Sequence, residues 1–279
     1  MHGMKDFIVL ANQDDDDALW QEQRRKYLTG SDMFKFVPPD VLMQRGWWVE
    51  QWIARTDDGE DRNLHWAQQE VFRRKMTGED IEFKNPQQVH WGRYMEEIYR
   101  KAFSEFSGLP TISDHRLYHN ERWPYLATSL DGWVMRPTDW TALEQPEMFT
   151  NPDAVTEAIL ELPEGEWSLL EIKTTSDFGV KKWVSGTRTK PRSKIIAGRF
   201  APMDAGVPVY YIPQVLTQMA IRGTTTSLAL VHGGMSTMTC HAMHLDDEWL
   251  DVMDRINDHA KPQLDLIRSW IQGEDNEQD

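Results

Sequence analysis

Along much of the chain apolar residues recur at every third or fourth position, the spacing of one buried helix face; elsewhere they alternate as in half-buried strands. Met95, Ile98, Tyr99, Ala102, Phe103 and Phe106 form such a stripe, and Asn85-Pro86 ahead of it offers a cap and a first-turn proline. This predicts a helix from there to Phe106, ended at Gly108. Another is expected over Leu64 to Met76, stopped at Thr77-Gly78. Residues 12 to 17 are an acidic lead-in that caps a helix starting near Ala18. The segment 38 to 55, with Val41, Leu42, Trp47, Trp48 and Trp52, predicts a tryptophan-rich helix. Tyr210 to Arg222 reads as a buried helix halted by Gly223. The tail carries Trp249, Met253, Ile256, Ala260, Leu264, Ile267 and Trp270 on one face. It is expected to be a helix interrupted at Pro262 and frayed over residues 273 to 279.

Strands are expected at residues 115–119, 125–135 and 167–174. A hairpin follows, Thr225 to Val231 and Ser236 to Leu245, turned at Gly233-Gly234. Residues 136 to 166 are acidic and punctuated by proline. They read as an insertion with a short helix at Asp153 to Leu160. The sequence contains no internal repeat.

The composition, 40% hydrophobic and 27% charged over 279 residues, is that of a globular chain able to bury a sizeable core. A single cysteine, Cys240, excludes an internal disulfide framework and any cysteine-held cluster, and fits a reducing compartment. The start lacks a signal-peptide pattern, and no apolar run approaches the ~20 residues of a membrane span. These features predict a cytoplasmic chain without membrane attachment, in a host cell's cytoplasm if phage-encoded.

The formal net charge of −15 argues against indiscriminate nucleic-acid binding, but its distribution is uneven. Phe178 to Met203 holds seven basic residues, among them Lys190, Arg192 and Lys194, and no acid. Such a run is either a solvated loop or a track for substrate phosphates.

The run Trp167 to Thr175 carries the chemistry. Residues two apart on a strand share a face, so Leu170, Ile172 and Thr174 can meet a core while Glu171 and Lys173 stand together on the other side. A Glu-x-Lys of this kind is commonly a solvated ion pair. Asp131, within the 125–135 run and just before Gly132, offers a second carboxylate if the two strands are neighbours. Hard divalent cations take such oxygen ligands, and magnesium takes one or two carboxylates with water and phosphate. An adjacent lysine could orient water or neutralise charge on phosphate. Glu96, at the edge of its helix stripe, points either inward across the sheet or to solvent. Arg24, one turn after Trp20 and ahead of Thr29-Gly30-Ser31, either joins Arg25 and Lys26 on a wet helix face or reads a phosphate.

In this order the motifs resemble those of the phage λ-exonuclease-like (YqaJ viral recombinase) family of the PD-(D/E)XK nuclease superfamily. They are Trp20-x3-Arg24 with Thr29-Gly30-Ser31, Lys75-Met76-Thr77-Gly78, Gly92-x3-Glu96, Asp131-Gly132, Glu171-Ile172-Lys173, and Tyr210 to Met219. The resemblance covers roughly residues 18 to 245. It implies an α/β nuclease domain over residues 1–279, with a mixed central sheet flanked by helices and insertions near 36–62 and 136–166. It implies a Mg²⁺- or Mn²⁺-dependent DNA exonuclease of phage recombination, digesting linear duplex from a 5′-phosphate end. Asp131, Glu171 and the Ile172 carbonyl would bind metal with Glu96 contributing; Lys173 would position water. Arg24 and Ser31 would hold the terminal phosphate. Gln214 is assigned to the DNA side, and Leu216, where the family often has glutamine, leaves the roles of Gln214 and Gln218 open. A ring-like homo-oligomer, a trimer by resemblance, and a single-strand annealing partner are implied as well. A structure- or site-specific endonuclease and a catalytically silent DNA-binding protein are the alternatives.

Overall fold

The computed structural model describes residues 7–45, 54–55, 61–62, 64–79, 86–175, 207, 210–233 and 237–277. The strands are β1 (Phe7–Asn12), β2 (Leu28–Thr29), β3 (Ala54–Arg55), β4 (Asp61–Arg62), β5 (Thr111–Ser113), β6 (Arg116–Asn120), β7 (Leu126–Ser129), β8 (Gly132–Met135), β9 (Trp167–Thr175), β10 (Thr226–Gly233) and β11 (Thr237–His244). The helices are α1 (Asp17–Arg25), α2 (Pro39–Gln44), α3 (Leu64–Thr77), α4 (Pro86–Ser107), α5 (Pro152–Leu160), α6 (Ile212–Arg222) and α7 (Asp247–Glu277). The expected mixed sheet flanked by helices is present, in the order β11-β10-β9-β8-β5. Only β9 and β10 run parallel within it. A second mixed sheet, β1-β6-β7-β2, stands beside it. Among the described residues no helix is long and apolar enough to cross a membrane.

The two faces of the larger sheet belong to different cores. Leu170, Ile172, Leu228 and Leu230 pack with Phe103 of α4 and with Val155 and Ile159 of α5. Leu169, Ala229 and Val231 join α6 and α7 on the opposite face. Helix α6 also contacts β6 and β7 of the smaller sheet. Closed in from both sides, it is buried from Ile212 through Ile221 except at Gln214. The left-handed Gly223 (φ 69°) ends it as expected.

Glycine also stops α3 and α4, with Gly78 and Gly108 both at positive φ. Several expectations need correction. Of segment 38 to 55, only Pro39–Gln44 is helical among the described residues, and Ala54–Arg55 is a strand paired with β4. Trp47, Trp48 and Trp52 lie outside the described residues, as do Asn85 and the turn at residue 234. On α4, Ile98 is exposed while Phe103 and Arg100 are buried, Arg100 held by Glu97 and by Thr111 of β5. Helix α7 runs through Pro262 to Glu277 without a break. Met253, Ile256, Ala260, Leu264, Ile267 and Ile271 are buried along it, so packing on both sides of the proline holds the helix together. Its stripe ends on Ile271, and Trp270 is half-exposed beneath the Arg25 guanidinium.

The run 125–135 is two strands. After Ser129 the chain leaves the smaller sheet and at Gly132 enters the larger one, so Asp131 sits at the crossing. The crossing depends on a missing side chain, because a Cβ on Gly132 would stand 2.5 Å from the Ile112 carbonyl oxygen of the neighbouring strand. Backbone on the far side cannot swing away as a side chain could. Gly132→Ala is therefore expected to destabilise the fold by about 1–3 kcal/mol, the usual cost of overpacking, measured by urea unfolding; an unchanged midpoint would show that β5 yields freely.

Candidate active site

Strand β8 stops pairing with β9 at Gly132 and Leu170, so beyond Leu170 that edge of β9 has lost its strand partner. Asp131 takes the vacated place, its Oδ2 accepting from the Ile172 N–H at 2.8 Å. A strand residue sends its N–H and C=O to the same edge; the Ile172 carbonyl thus leaves on the Asp131 side.

Glu171 points the other way, into the face covered by α6, and is 1% exposed. Three donors meet it there. Oε1 pairs with the Lys173 ammonium and accepts from Gln214 Nε2 at 2.5 Å, while Oε2 accepts from Gln218 Nε2 at 2.7 Å. The Lys173 Nζ also lies 5.2 Å from the Tyr211 ring centroid. Tyr211, Gln214 and Gln218 are three and four residues apart, so one stripe of the helix and its N-cap serves the pair. Thr174, expected in the core, is exposed at the sheet end, and the 20% exposure of the Lys173 side chain makes it the solvent-facing member of the pair.

The charges are unbalanced. Burial, then Glu171 and Glu96, raise the Asp131 carboxyl well above its ordinary value of 3.8, against a lowering by Lys173 and the Ile172 N–H. Glu96 therefore acts on the site from α4 through its field. Burial alone would depress Lys173, but the Glu171 and Asp131 carboxylates hold its ammonium well above the ordinary lysine value. An aspartate pushed toward neutrality by burial and then by other carboxylates is a site short of positive charge. Among the described residues no group of three or more His, Cys, Asp or Glu forms a ready cluster for a metal. Two carboxylates with a backbone carbonyl nevertheless suit a cation such as Mg²⁺, which keeps water and substrate oxygens in its shell. A carboxylate has about four lone-pair directions. Three donors on Glu171 leave one open.

Arg24 and Ser31 flank a turn beside this centre. The Arg24 guanidinium lies 4.4 Å from the buried Trp20 ring, and exposed Ser31 contacts the Thr29 hydroxyl at 3.2 Å. A Cβ on Gly30 would come within 3.0 Å of Thr128 Oγ1 and 3.3 Å of Gln214 Cγ, so the turn abuts the helix that clamps Glu171. The end of α3 docks on the same place, with Lys75 donating to the Arg24 carbonyl at 3.2 Å and Arg25 to the Lys75 and Met76 carbonyls. Burial would raise Asp32, yet Lys75 at 3.2 Å, Lys35 at 3.8 Å, the Thr29 hydroxyl and Arg24 hold it far below the ordinary range. Cations thus gather around this turn in a chain of net charge −15.

Asp131, Glu171, Ile172, Lys173 and Gln214 are brought together, Glu96 reaches them electrostatically, and Arg24 and Ser31 lie across Gly30 from Gln214. Lys190, Arg192 and Lys194 lie outside the described residues. Sequence reasoning left Gln218 without a role and missed the Tyr211 contact; the signal was polar residues at helical spacing in an otherwise apolar helix.

A mixed sheet with helices on both faces is a PD-(D/E)XK-like fold, and here it sets a strand-end aspartate beside a Glu-x-Lys strand. The chain belongs to the YqaJ-like viral recombinase domain family, whose model matches residues 19–227. Among solved structures it is similar to an alkaline exonuclease of Laribacter hongkongensis, LHK-Exo (13% identity, TM-score 0.51, 93% of this chain and 98% of that one). The complex of LHK-Exo with dAMP gives 14% identity, a TM-score of 0.53 and the same coverage. A phage-related exonuclease from Haemophilus somnus 129PT gives 12%, 0.52, and coverage of 90% and 99%. At these identities the likeness is one of fold. Among curated proteins nothing matches the chain.

The imbalance at Asp131 has a measurable consequence. A carboxyl raised in the folded state costs stability above its unfolded pKa, so stability is full below about pH 4 and falls as pH climbs through the folded value. Asp131→Asn keeps an acceptor for Ile172 and removes the charge. In chelator at pH 8 it should unfold about 0.5–2 kcal/mol later than wild type, the usual gain from relieving a strained functional site, while losing cleavage. A variant less stable than wild type would show that the Asp131 charge is not the unfavourable one.

Proposed function

We propose that the chain is a divalent-metal-dependent DNA exonuclease of phage-type recombination, acting from the 5′-phosphate end of linear duplex. The observation that carries this reading is the meeting of Asp131, Glu171 and Lys173 where β8 parts from β9. Asp131, Glu171 and the Ile172 carbonyl would hold Mg²⁺ or Mn²⁺, which when bound supplies Lewis acidity toward the scissile phosphate. Lys173, kept protonated by its carboxylate neighbours, serves as a charged donor that orients water and offsets charge on the phosphate. Gln214 and Gln218 keep Glu171 from swinging toward Lys173 alone. Arg24, with its planar fork braced on Trp20, and the Ser31 hydroxyl would take the terminal phosphate. The family resemblance supports a ring-like homo-oligomer and a single-strand annealing partner in the host cytoplasm.

End-labelled linear duplex with Mg²⁺ tests the chemistry. Cleavage should stop in chelator, and Lys173→Ala should lower the rate by about 10²-fold or more, the scale of lost electrostatic stabilisation, with duplex binding retained. Wild-type cleavage by Lys173→Ala would remove the assignment. The end-reading role is tested separately on duplexes with 5′-phosphate or 5′-hydroxyl ends. Wild type should prefer the phosphate and Arg24→Ala should lose that preference; equal wild-type rates on both ends would exclude it.

A further inference from the structure

Gln218 is 2% exposed and lies at the middle of the buried helix α6. A glutamine there is costly unless its amide is satisfied. Its Nε2 donates to Glu171 Oε2 at 2.7 Å and to the Ser129 carbonyl at 3.1 Å. Both partners are acceptors, so the amide nitrogen must face them, and both of its hydrogens are spent. Ser129 is the last residue of β7, two before Asp131, and Glu171 is on β9. One amide therefore ties the backbone leading into the first carboxylate to the side chain of the second, from a helix wedged between the two sheets that carry them.

We infer that Gln218 is a positioning residue for the metal site, setting the separation of Asp131 and Glu171 while itself touching neither metal nor DNA. The inference rests on the metal-dependent reading proposed above. Without this tie the Ser129 carbonyl keeps the Thr128 hydroxyl at 3.2 Å and its strand pairing with Leu117, neither of which reaches Glu171. Among the described residues Glu171 Oε2 then has no donor, and the carboxylate can turn toward Lys173 and Gln214, both of which hold Oε1. Loss of a ligand's supporting hydrogen bond weakens a metal site by about 10- to 100-fold. Gln214, by contrast, holds the oxygen that Lys173 already holds, so among the described donors Gln218 is the one whose loss leaves an oxygen bare.

The test is Mn²⁺ binding by the full-length chain without DNA, followed by electron paramagnetic resonance of the free ion, for wild type, Gln218→Met and Thr217→Val. Methionine matches glutamine in length and has no donor. Thr217 is equally buried on the same helix, and its hydroxyl has no hydrogen-bond partner among the described residues, so it controls for a general effect of altering α6. Gln218→Met should bind Mn²⁺ about 10-fold or more weakly, and its cleavage rate should recover as Mn²⁺ is raised. Thr217→Val should bind as wild type does. A folded Gln218→Met with wild-type Mn²⁺ affinity overturns the positioning role, as does a loss of cleavage that excess Mn²⁺ fails to restore. If Gln218→Met does not fold, Gln218→Asn, whose shorter arm cannot span both acceptors, is read by the same criteria. Failure of wild type to bind Mn²⁺ would overturn the metal-dependent reading instead, and this inference with it.

Discussion

Glu171 is an acceptor-only group held almost wholly out of water, and the surrounding structure is organised by the need to bring donors to it. A carboxylate buried without partners costs several kcal/mol. Three side chains answer that cost: Lys173 from its own strand, and Gln214 and Gln218 from α6. The helix can deliver them because both sheets close over it, which fixes its rotation by packing Val215, Leu216, Met219 and Ala220 into the core. Apolar burial sets the register of the helix, and that register aims the amides.

The same arrangement leaves Asp131 poorly compensated. Its one described hydrogen bond comes from the Ile172 N–H, and two further carboxylates act on it. Such strain persists where the rest of the fold over-determines it. Here the restraint is steric as well as polar, since β8 can begin beside β5 only because residue 132 is glycine. The sheet crossing that creates the acidic centre and the close strand approach that stabilises it are one feature of the chain.

Much of this was legible in the sequence. The Glu171 and Lys173 pair stood out because charge is unusual inside an apolar strand, and α3, α4 and α6 ended where Gly78, Gly108 and Gly223 supply a left-handed residue. What was hidden depended on tertiary context. β1 escaped notice because Phe7, Ile8 and Val9 are all substantially exposed, so no alternation marks a buried face. The run 125–135 looked like one strand since periodicity continues across a sheet crossing; only the close approach at Gly132 divides it. Pro262 suggested a break, but local propensity yields where long apolar stripes pack on both sides. Gln218 stood out as a polar residue in an apolar helix, but its role was unreadable because the acceptor that needs it lies 47 residues away.

Helix α6 also joins the acidic centre to the cationic turn. Gln214 donates to Glu171 with its amide, while its Cγ and the Thr128 hydroxyl crowd Gly30, where a Cβ would come within 3.3 and 3.0 Å of them. On the other side of Gly30, Lys75, Lys35 and Arg24 act on Asp32 and lower its carboxyl. In the function proposed, the cationic turn serves the phosphate at a DNA end and the carboxylates serve a metal ion. A chain of net charge −15 can then handle a polyanion because its positive groups are concentrated locally, where short-range fields outweigh the total.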